Sequence, residues 1–290
     1  MALSVQLGLL LALATAFASV VGFLYKHRGA VESPPVELRR PIRTSLALFR
    51  SGWYVLGIVI ATASWGLHVA ALSLAPISLV QSVIAGGLVL LTVTADRLFA
   101  HRVTRREWIG VGMAAVGLAF LAATIGGTGD SAHSSYELGR LIPWVAALTV
   151  GAVAVAFAAR TGRHAGVMLG ASAGLFWAAS DTSIKALSDH LGGGVWAVLG
   201  SPLAAFIALA SLAGLVVSAR SLQIGKAVPV IAVTSVAANL FTIAAGPVVF
   251  GEPMPDTSLG IVVRVLAFAL VISAAALTPA PVQAVEPDAA

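Results

Sequence analysis

The sequence of 290 residues contains no cysteine, and only 10% of its residues carry a formal charge. The lack of cysteine excludes disulfide bonds, thiolate nucleophiles and metal sites built on cysteine. Soluble proteins carry about 25% charged residues and are about 45–50% apolar. With 59% hydrophobic residues, this composition argues against a soluble enzyme or a nucleic-acid-binding domain and indicates a polytopic membrane protein.

Nine stretches of the chain are long and apolar enough to be membrane-spanning helices, which need about 20 residues each. The first stretch is followed by Lys26, His27 and Arg28, so we expect a retained helix rather than a cleaved signal peptide. The predicted fold class is an all-α polytopic membrane protein with about nine transmembrane helices. The predicted spans are 4–25, 51–74, 77–98, 107–126, 141–160, 165–187, 196–218, 228–250 and 257–278.

The basic residues are distributed unevenly between the two sides of these spans. With the amino terminus outside, 14 of the 17 basic residues fall in loops on the inner side. Positive charge is enriched in cytoplasmic loops, so we expect a multi-pass protein of the cell membrane with its amino terminus outside and its carboxyl terminus in the cytoplasm. The inner residues are Lys26, Arg28, Arg39, Arg40, Arg43, Arg50, Arg97, Arg102, Arg105, Arg106, Arg160, Arg163, Arg220 and Lys226.

The chain has one long loop between the predicted spans and a tail after the last one. The loop 26–50 contains three prolines, and its end at 42–50 either extends the second span or lies on the inner surface. The tail 279–290 is rich in proline and alanine and is predicted to be disordered in the cytoplasm.

An internal repeat links the third and eighth spans. Pro, Val, Ser, Val and Ala recur in register between Pro76–Ala85 and Pro229–Ala238. The second copy lies five spans after the first, so the two copies cross the membrane in opposite directions. Inverted repeats of this kind build many secondary transporters, with the substrate bound at the interface between the repeats.

The stretch Leu74–Gln81, the segment Asp96–Trp108 before a glycine-rich helix, and the corner Val249–Pro253 resemble the drug/metabolite transporter (DMT) superfamily (EamA-like). Members commonly have ten helices in two inverted five-helix repeats. The opening helix Leu7–Gly29 gives a nine-span layout similar to the NIPA-like magnesium-transporter branch. The resemblance implies a first repeat at 1–139 that lacks its second helix, with the 26–50 loop in its place, and a second, five-helix repeat at 140–278.

Six polar residues inside the spans are candidates for substrate binding or coupling, because polar side chains are costly in a membrane. His68, Asp181 and Arg264 fall roughly 9–11 Å below the outer boundary, at about 1.5 Å rise per residue. We expect Asp181 to pair with Arg264 and to line a cavity with His68 and Lys185. The six candidates are His68, Gln81, Asp181, Lys185, Asn239 and Arg264.

Structural roles are open for each candidate. Asp181 and Lys185 are four residues apart and could neutralise one another on one helix face. Arg264 could extend outward toward Glu252 or Asp256, and His68 could be a buried, hydrogen-bonded histidine. Gln81 and Asn239 could only join neighbouring helices.

The sequence contains no phosphate-binding loop and no metalloprotease motif, so we expect neither an enzyme nor a cofactor. The leading hypothesis is a secondary transporter of a small metabolite or ion. The NIPA-like resemblance implies Mg²⁺ instead, with Asp181 as its weak candidate ligand. A third hypothesis is a membrane scaffold or lipid-handling protein that transports nothing. The expected partners are a small-molecule or ion substrate, the lipid bilayer and a second copy in a homodimer, with no nucleic acid.

Overall fold

The computed structural model describes residues 1–31, 49–98, 105–124, 129–159, 164–190, 193–224 and 227–277. Within these ranges the chain forms ten helices and no strand. They are α1 (Leu3–Val31), α2 (Gly52–Leu74), α3 (Ile77–Leu98), α4 (Arg105–Ala123), α5 (Leu138–Ala158), α6 (Ala165–Ser188), α7 (Val195–Leu199), α8 (Pro202–Ile224), α9 (Ala227–Val249) and α10 (Ser258–Leu277).

The all-helical prediction is confirmed for the described residues. Each predicted span overlaps a helix, but two boundaries differ. Helix α1 continues through Lys26–Arg28 to Val31. The predicted span 196–218 is interrupted, because α7 ends at Leu199 and α8 begins at Pro202. Proline lacks a backbone N–H and is favoured in the first turn of a helix, and the hydroxyl of Ser201 accepts from the Leu203 N–H at 3.2 Å.

Among the residues that the structure describes, three helices, α2, α5 and α10, are long and apolar enough to cross a membrane. The outward faces of these and other helices carry large apolar side chains, whose exposure to water would be unfavourable. Exposed apolar surface of this extent is typical of proteins that contact other apolar surfaces or a membrane. The helices therefore indicate membrane association. Such outward residues include Leu10, Val59, Val150, Leu209 and Leu259.

The directions of the long helices alternate along the chain. Gly22 of α1 lies against Gly57 and Ala61 of α2, whereas Gly8 lies against Ala75 just beyond the end of α2, so α1 and α2 are antiparallel. Helices α6 and α9 are parallel, because Gly170 contacts Val230 and Gly174 contacts Ala238. A bundle that threads back and forth has this pattern.

By chain order, the helices divide into a first half, α1–α4, and a second half, α5–α10. In the first half, α1 contacts α2 and α3, and α3 contacts α4. In the second half, α6 contacts α5, α8 and α9, and α9 contacts α10. Between the halves, α3 packs on α9 and α10, α4 packs on α10, and α2 packs on α6. Helix α10 packs more extensively on α4 than on α9, so the two halves are named by chain order and not as separate packing groups.

Two predictions fall where the structure describes nothing. Segment 42–50 lies mostly in the undescribed range 32–48, and the tail 279–290 lies wholly beyond residue 277. The segment Asp96–Trp108 of the predicted first repeat is described only at Asp96–Leu98 and Arg105–Trp108, on either side of the undescribed range 99–104.

Candidate functional site

Buried polar contacts concentrate where the two halves meet. Asp181, Lys185, Glu252 and Arg264 all belong to the second half, and each bonds a residue of the first half. We call this set of residues the polar interface. It consists of His68, Leu72, Ala75, Ser78, Gln81, Thr124, Asp181, Lys185, Asn239, Thr242, Glu252 and Arg264.

The polar interface lies toward one end of the bundle, at which α2, α4, α6 and α9 end. Asp181 and Lys185 are in the last two turns of α6, and Ser78 is in the first turn of α3. Glu252 is the third residue after the end of α9. We call this end of the bundle the polar end.

His68 and Asp181 form a pair between α2 and α6. The His68 Nε2 atom lies 3.3 Å from the Asp181 Oδ1 atom, and the side chains are 12% and 17% exposed. The second ring nitrogen of His68, Nδ1, is buried and has no hydrogen-bond partner among the described residues. Among the described residues, the pair therefore leaves one buried ring nitrogen without a partner.

Lys185 anchors the junction between α2 and α3. Its ammonium group is fully buried and donates to the carbonyl oxygens of Leu72 at 2.5 Å, Ala75 at 2.8 Å and Ala132 at 2.6 Å. An ammonium group has three donors, so all of them are used. The last carbonyls of a helix carry partial negative charge and favour a cation. Lys185 therefore caps the carboxyl-terminal end of α2.

Glu252 caps the other side of the same junction, at the amino-terminal end of α3. Gly251 adopts a φ of 60°, which glycine permits without steric cost, and this turns Glu252 back into the bundle. Its carboxylate accepts from the Ser78 hydroxyl and from the Ser78 N–H at 3.4 Å. The exposed backbone N–H groups that begin a helix favour an anion. Burial raises the pKa of the Glu252 carboxyl, against the opposing effects of the Ser78 hydrogen bonds and the Lys185 ammonium.

Sequence reasoning did not include Glu252 among the candidates, because it follows the last apolar residue of a span and was assigned to an outer loop. The corner Val249–Pro253 was the available signal. Its glycine lets the chain reverse, so the acid after it can point inward rather than into solvent.

Gln81 and Asn239 join α3 to α9. The Gln81 Nε2 atom donates to the Asn239 Oδ1 atom at 3.0 Å, and both side chains are buried. The Gln81 Oε1 atom and the hydroxyl of Thr242, one turn beyond Asn239, are buried and have no partner among the described residues. Two polar atoms are therefore left for another group between α3 and α9.

Arg264 is buried in α10 with 2% exposure, and its Nε atom donates to the Thr124 hydroxyl at 3.0 Å. Glu252 acts on it electrostatically. These contacts differ from the predicted pair of Arg264 with Asp181, because Asp181 instead faces His68 across the α2–α6 contact. Arg264 does not extend to the exposed surface, since Glu252 is itself buried within the bundle.

The alternative in which Lys185 and Asp181 neutralise one another is also not what the geometry shows. The charges that act on Lys185 are Glu252 and Asp189, while its protons go to backbone carbonyls. Asp181 is left with His68 as its ionisable partner.

A separate cleft of about 310 Å³ lies at the surface between the segment before α5 and the end of α9. Arg140 forms an exposed ion pair with Glu137 there, at 3.2 Å. Burial, followed by the charge of Asp189, raises the pKa of Tyr136. The cleft lies at the polar end, and its lining residues are Ser135, Tyr136, Glu137, Arg140, Val249, Phe250 and Gly251.

The described residues contain no group of three or more His, Asp or Glu side chains that could hold a metal ion. No protein-family model, curated protein or solved structure matches this chain. Function therefore has to be inferred from the fold and from the polar interface.

Proposed function

We propose that this chain is an integral membrane secondary transporter of the DMT type, which moves a small metabolite or ion by alternating access. The observation that supports this proposal is the position of the buried charges. Intramembrane ionisable residues tend to mark substrate or ion pathways, and transporters with inverted repeats bind their substrates between the repeats. Here the buried charged side chains of the second half each bond a residue of the first half.

The packing of the helices supports two related halves. The contacts of α1 with α2 and α3, and of α3 with α4, correspond to those of α6 with α8 and α9, and of α9 with α10. The similar segments Pro76–Ala85 and Pro229–Ala238 then fall at the starts of the corresponding helices α3 and α9. Under this correspondence the nine long helices are nine spans, and α5 is the helix that has no counterpart. We therefore place the missing helix of the first repeat before α1, not after it.

The distribution of charge supports the same orientation as the positive-inside rule. Exposed Arg50, Arg105, Arg106 and Arg220 lie at the end of the bundle opposite the polar end. In this proposal the polar end faces outside, and the polar interface closes the pathway on that side. Alternating access then requires the contacts of the polar interface to break and the opposite end to close.

The charge balance of the polar interface favours a neutral or zwitterionic substrate. Lys185 and Arg264 contribute two positive charges, and Asp181 and Glu252 contribute two negative charges. Mg²⁺ is usually held by one or two carboxylates with several retained waters. Both carboxylates here already accept hydrogen bonds, and two fixed cations share the same region, so Mg²⁺ transport is the less favoured hypothesis.

Transport would be tested with purified protein in liposomes, by following uptake of labelled small metabolites and of Mg²⁺ with and without a proton gradient. The matched variants are Gln81→Leu with Asn239→Leu, inside the polar interface, and Arg140→Gln, in an exposed ion pair outside it. We expect flux with the wild type and Arg140→Gln, and at least a tenfold loss with the double variant. Uptake of Mg²⁺ alone would favour the cation hypothesis, and folded protein without any flux would favour the scaffold.

A further inference from the structure

The His68–Asp181 pair differs in kind from the other contacts of the polar interface. Lys185 has all three protons bound by carbonyls, and Glu252 and Arg264 bond hydroxyl groups. His68 and Asp181 are both titratable, they belong to different halves, and the His68 Nδ1 atom has no partner in the described part of the chain.

We propose that the His68–Asp181 pair is a proton-binding site that controls separation of the two halves at the polar end. A neutral His68 can only donate a hydrogen bond to the Asp181 carboxylate. Protonation converts this contact into an ion pair between α2 and α6, without forming or breaking any other bond. Because charge-assisted hydrogen bonds are about twice as strong as neutral ones, proton uptake favours the closed arrangement.

The physical reason for this coupling is the cost of a buried charge. While the halves are closed, the Asp181 carboxylate is largely withdrawn from water and needs a cationic partner. When the halves separate, water can replace that partner. By linkage, a proton that stabilises the closed arrangement is bound more tightly by it. Histidine is the side chain suited to this role, since it changes charge near neutral pH.

Other charged groups around the pair leave His68 as its titratable member. Lys185 is the nearest on α6, and its protons are held by carbonyl oxygens. Helix α3 contributes Ser78 and Gln81, which do not titrate near neutral pH. The remaining groups with described side chains, on elements packed against α2 and α6 or at the polar end, are Tyr25 on α1, Tyr54 on α2, Asp130, His133, Tyr136 and Glu137 before α5, Arg140 on α5, Arg220 on α8, Glu252 and Asp256 before α10, Arg264 on α10, Asp189 and His190 after α6, and the amino terminus of Met1.

The absence of native cysteine makes this proposal directly measurable. Cysteines introduced at exposed Ser4 on α1 and Ala205 on α8 carry the only spin labels, one in each half at the polar end. The label-to-label distance is measured in lipid nanodiscs by pulsed electron paramagnetic resonance. The distance is measured at about pH 5.5 and at about pH 8.5, which lie on either side of the histidine range. We expect the ratio of separated to closed wild-type protein to be about tenfold higher at the higher pH, within the usual range of coupling between sites.

Three variants and one control test the assignment. His68→Gln and Asp181→Asn should abolish the pH dependence, and His68→Lys, which keeps a positive charge, should remain closed throughout. His164→Gln removes an exposed histidine at the opposite end of α6 and should respond as the wild type does. If His68→Gln or Asp181→Asn does not fold, His68→Lys still decides the question.

A wild type without pH dependence would overturn the proposal, as would His68→Gln or Asp181→Asn protein that retains it. The proposal rests on movement of the two halves as in the proposed transport, but the two can fail separately. A pH-dependent distance in a protein without flux refutes transport alone. Flux with a distance that ignores pH refutes the proton site alone.

Discussion

Lys185 gives the sharpest test of how the polar interface stabilises the fold. Lys185→Met keeps much of the length of the side chain but removes the ammonium that binds the carbonyls of Leu72, Ala75 and Ala132. It also removes the cation beside buried Glu252. Removing one partner from a buried charged pair typically costs about 3–5 kcal/mol, and hydrogen bonds to charged groups contribute about 1.5–3 kcal/mol each. We expect Lys185→Met to lower the free energy of unfolding by about 3–5 kcal/mol, since these contributions overlap.

The assay is thermal unfolding, followed by tryptophan fluorescence at one fixed scan rate in nanodiscs. A loss of 1 kcal/mol lowers the melting temperature of a domain by about 2–4 °C, so Lys185→Met should melt about 6–20 °C below wild type. The control Arg140→Met removes an exposed ion pair with Glu137, which is typically worth about 0–1 kcal/mol, and should melt within about 4 °C of wild type.

Glu252→Gln completes a double-mutant cycle. Glutamine still accepts from Ser78 and leaves no unpaired carboxylate, so we expect the double variant to be more stable than the sum of the single losses by about 1 kcal/mol or more. A Lys185→Met protein that melts like the Arg140→Met control would refute the assignment of Lys185 as the anchor of the α2–α3 junction. Losses that simply add would refute the electrostatic coupling of Lys185 with Glu252.

Two further predictions concern helix contacts and use the same melting assay. A Cβ atom on Gly174 would lie 2.5 Å from the Thr234 carbonyl oxygen, whereas one on Gly66 would meet nothing within 4 Å. Gly174→Ala should therefore lower the free energy of unfolding by about 1–3 kcal/mol, while Gly66→Ala should be neutral or stabilising. Equal melting temperatures of the two variants would contradict the α6–α9 contact. Gln81→Leu and Asn239→Leu should each lower the free energy of unfolding by about 1–3 kcal/mol, because each leaves a buried amide without its hydrogen-bond partner. The double variant should lose less stability than either single variant. A double variant less stable than both single variants would show that the two amides do not depend on one another.

The helices could be predicted from the sequence because their cause is local. Each long helix contains an extended apolar segment, and length and hydropathy require no knowledge of neighbours. Helix boundaries are harder to predict where helix-ending residues lie inside an apolar stretch. The interruption before α8 depends on Gly200, Ser201 and Pro202, which a hydropathy pattern alone does not separate from the surrounding apolar residues.

The candidate residues were predicted as a set, but not their partners. Gln81 and Asn239 do join neighbouring helices, which was one of the two roles left open for them. The pairing of Asp181 depends on which helix lies beside α6, and that helix is α2 rather than α10 at this position. Depth along a helix follows from the sequence, whereas the facing side chain depends on rotation and packing of the whole bundle.

The sequence by itself determined that this chain is helical, that it carries few charges and is apolar enough to indicate membrane association, and that several of those charges lie within apolar segments. Those properties follow from composition and from the length of the apolar runs. Only the tertiary structure decided that Lys185 and Glu252 cap opposite sides of the α2–α3 junction and that Asp181 faces His68. A charged group inside a membrane needs a partner, and that partner is supplied by residues distant in sequence that packing brings together.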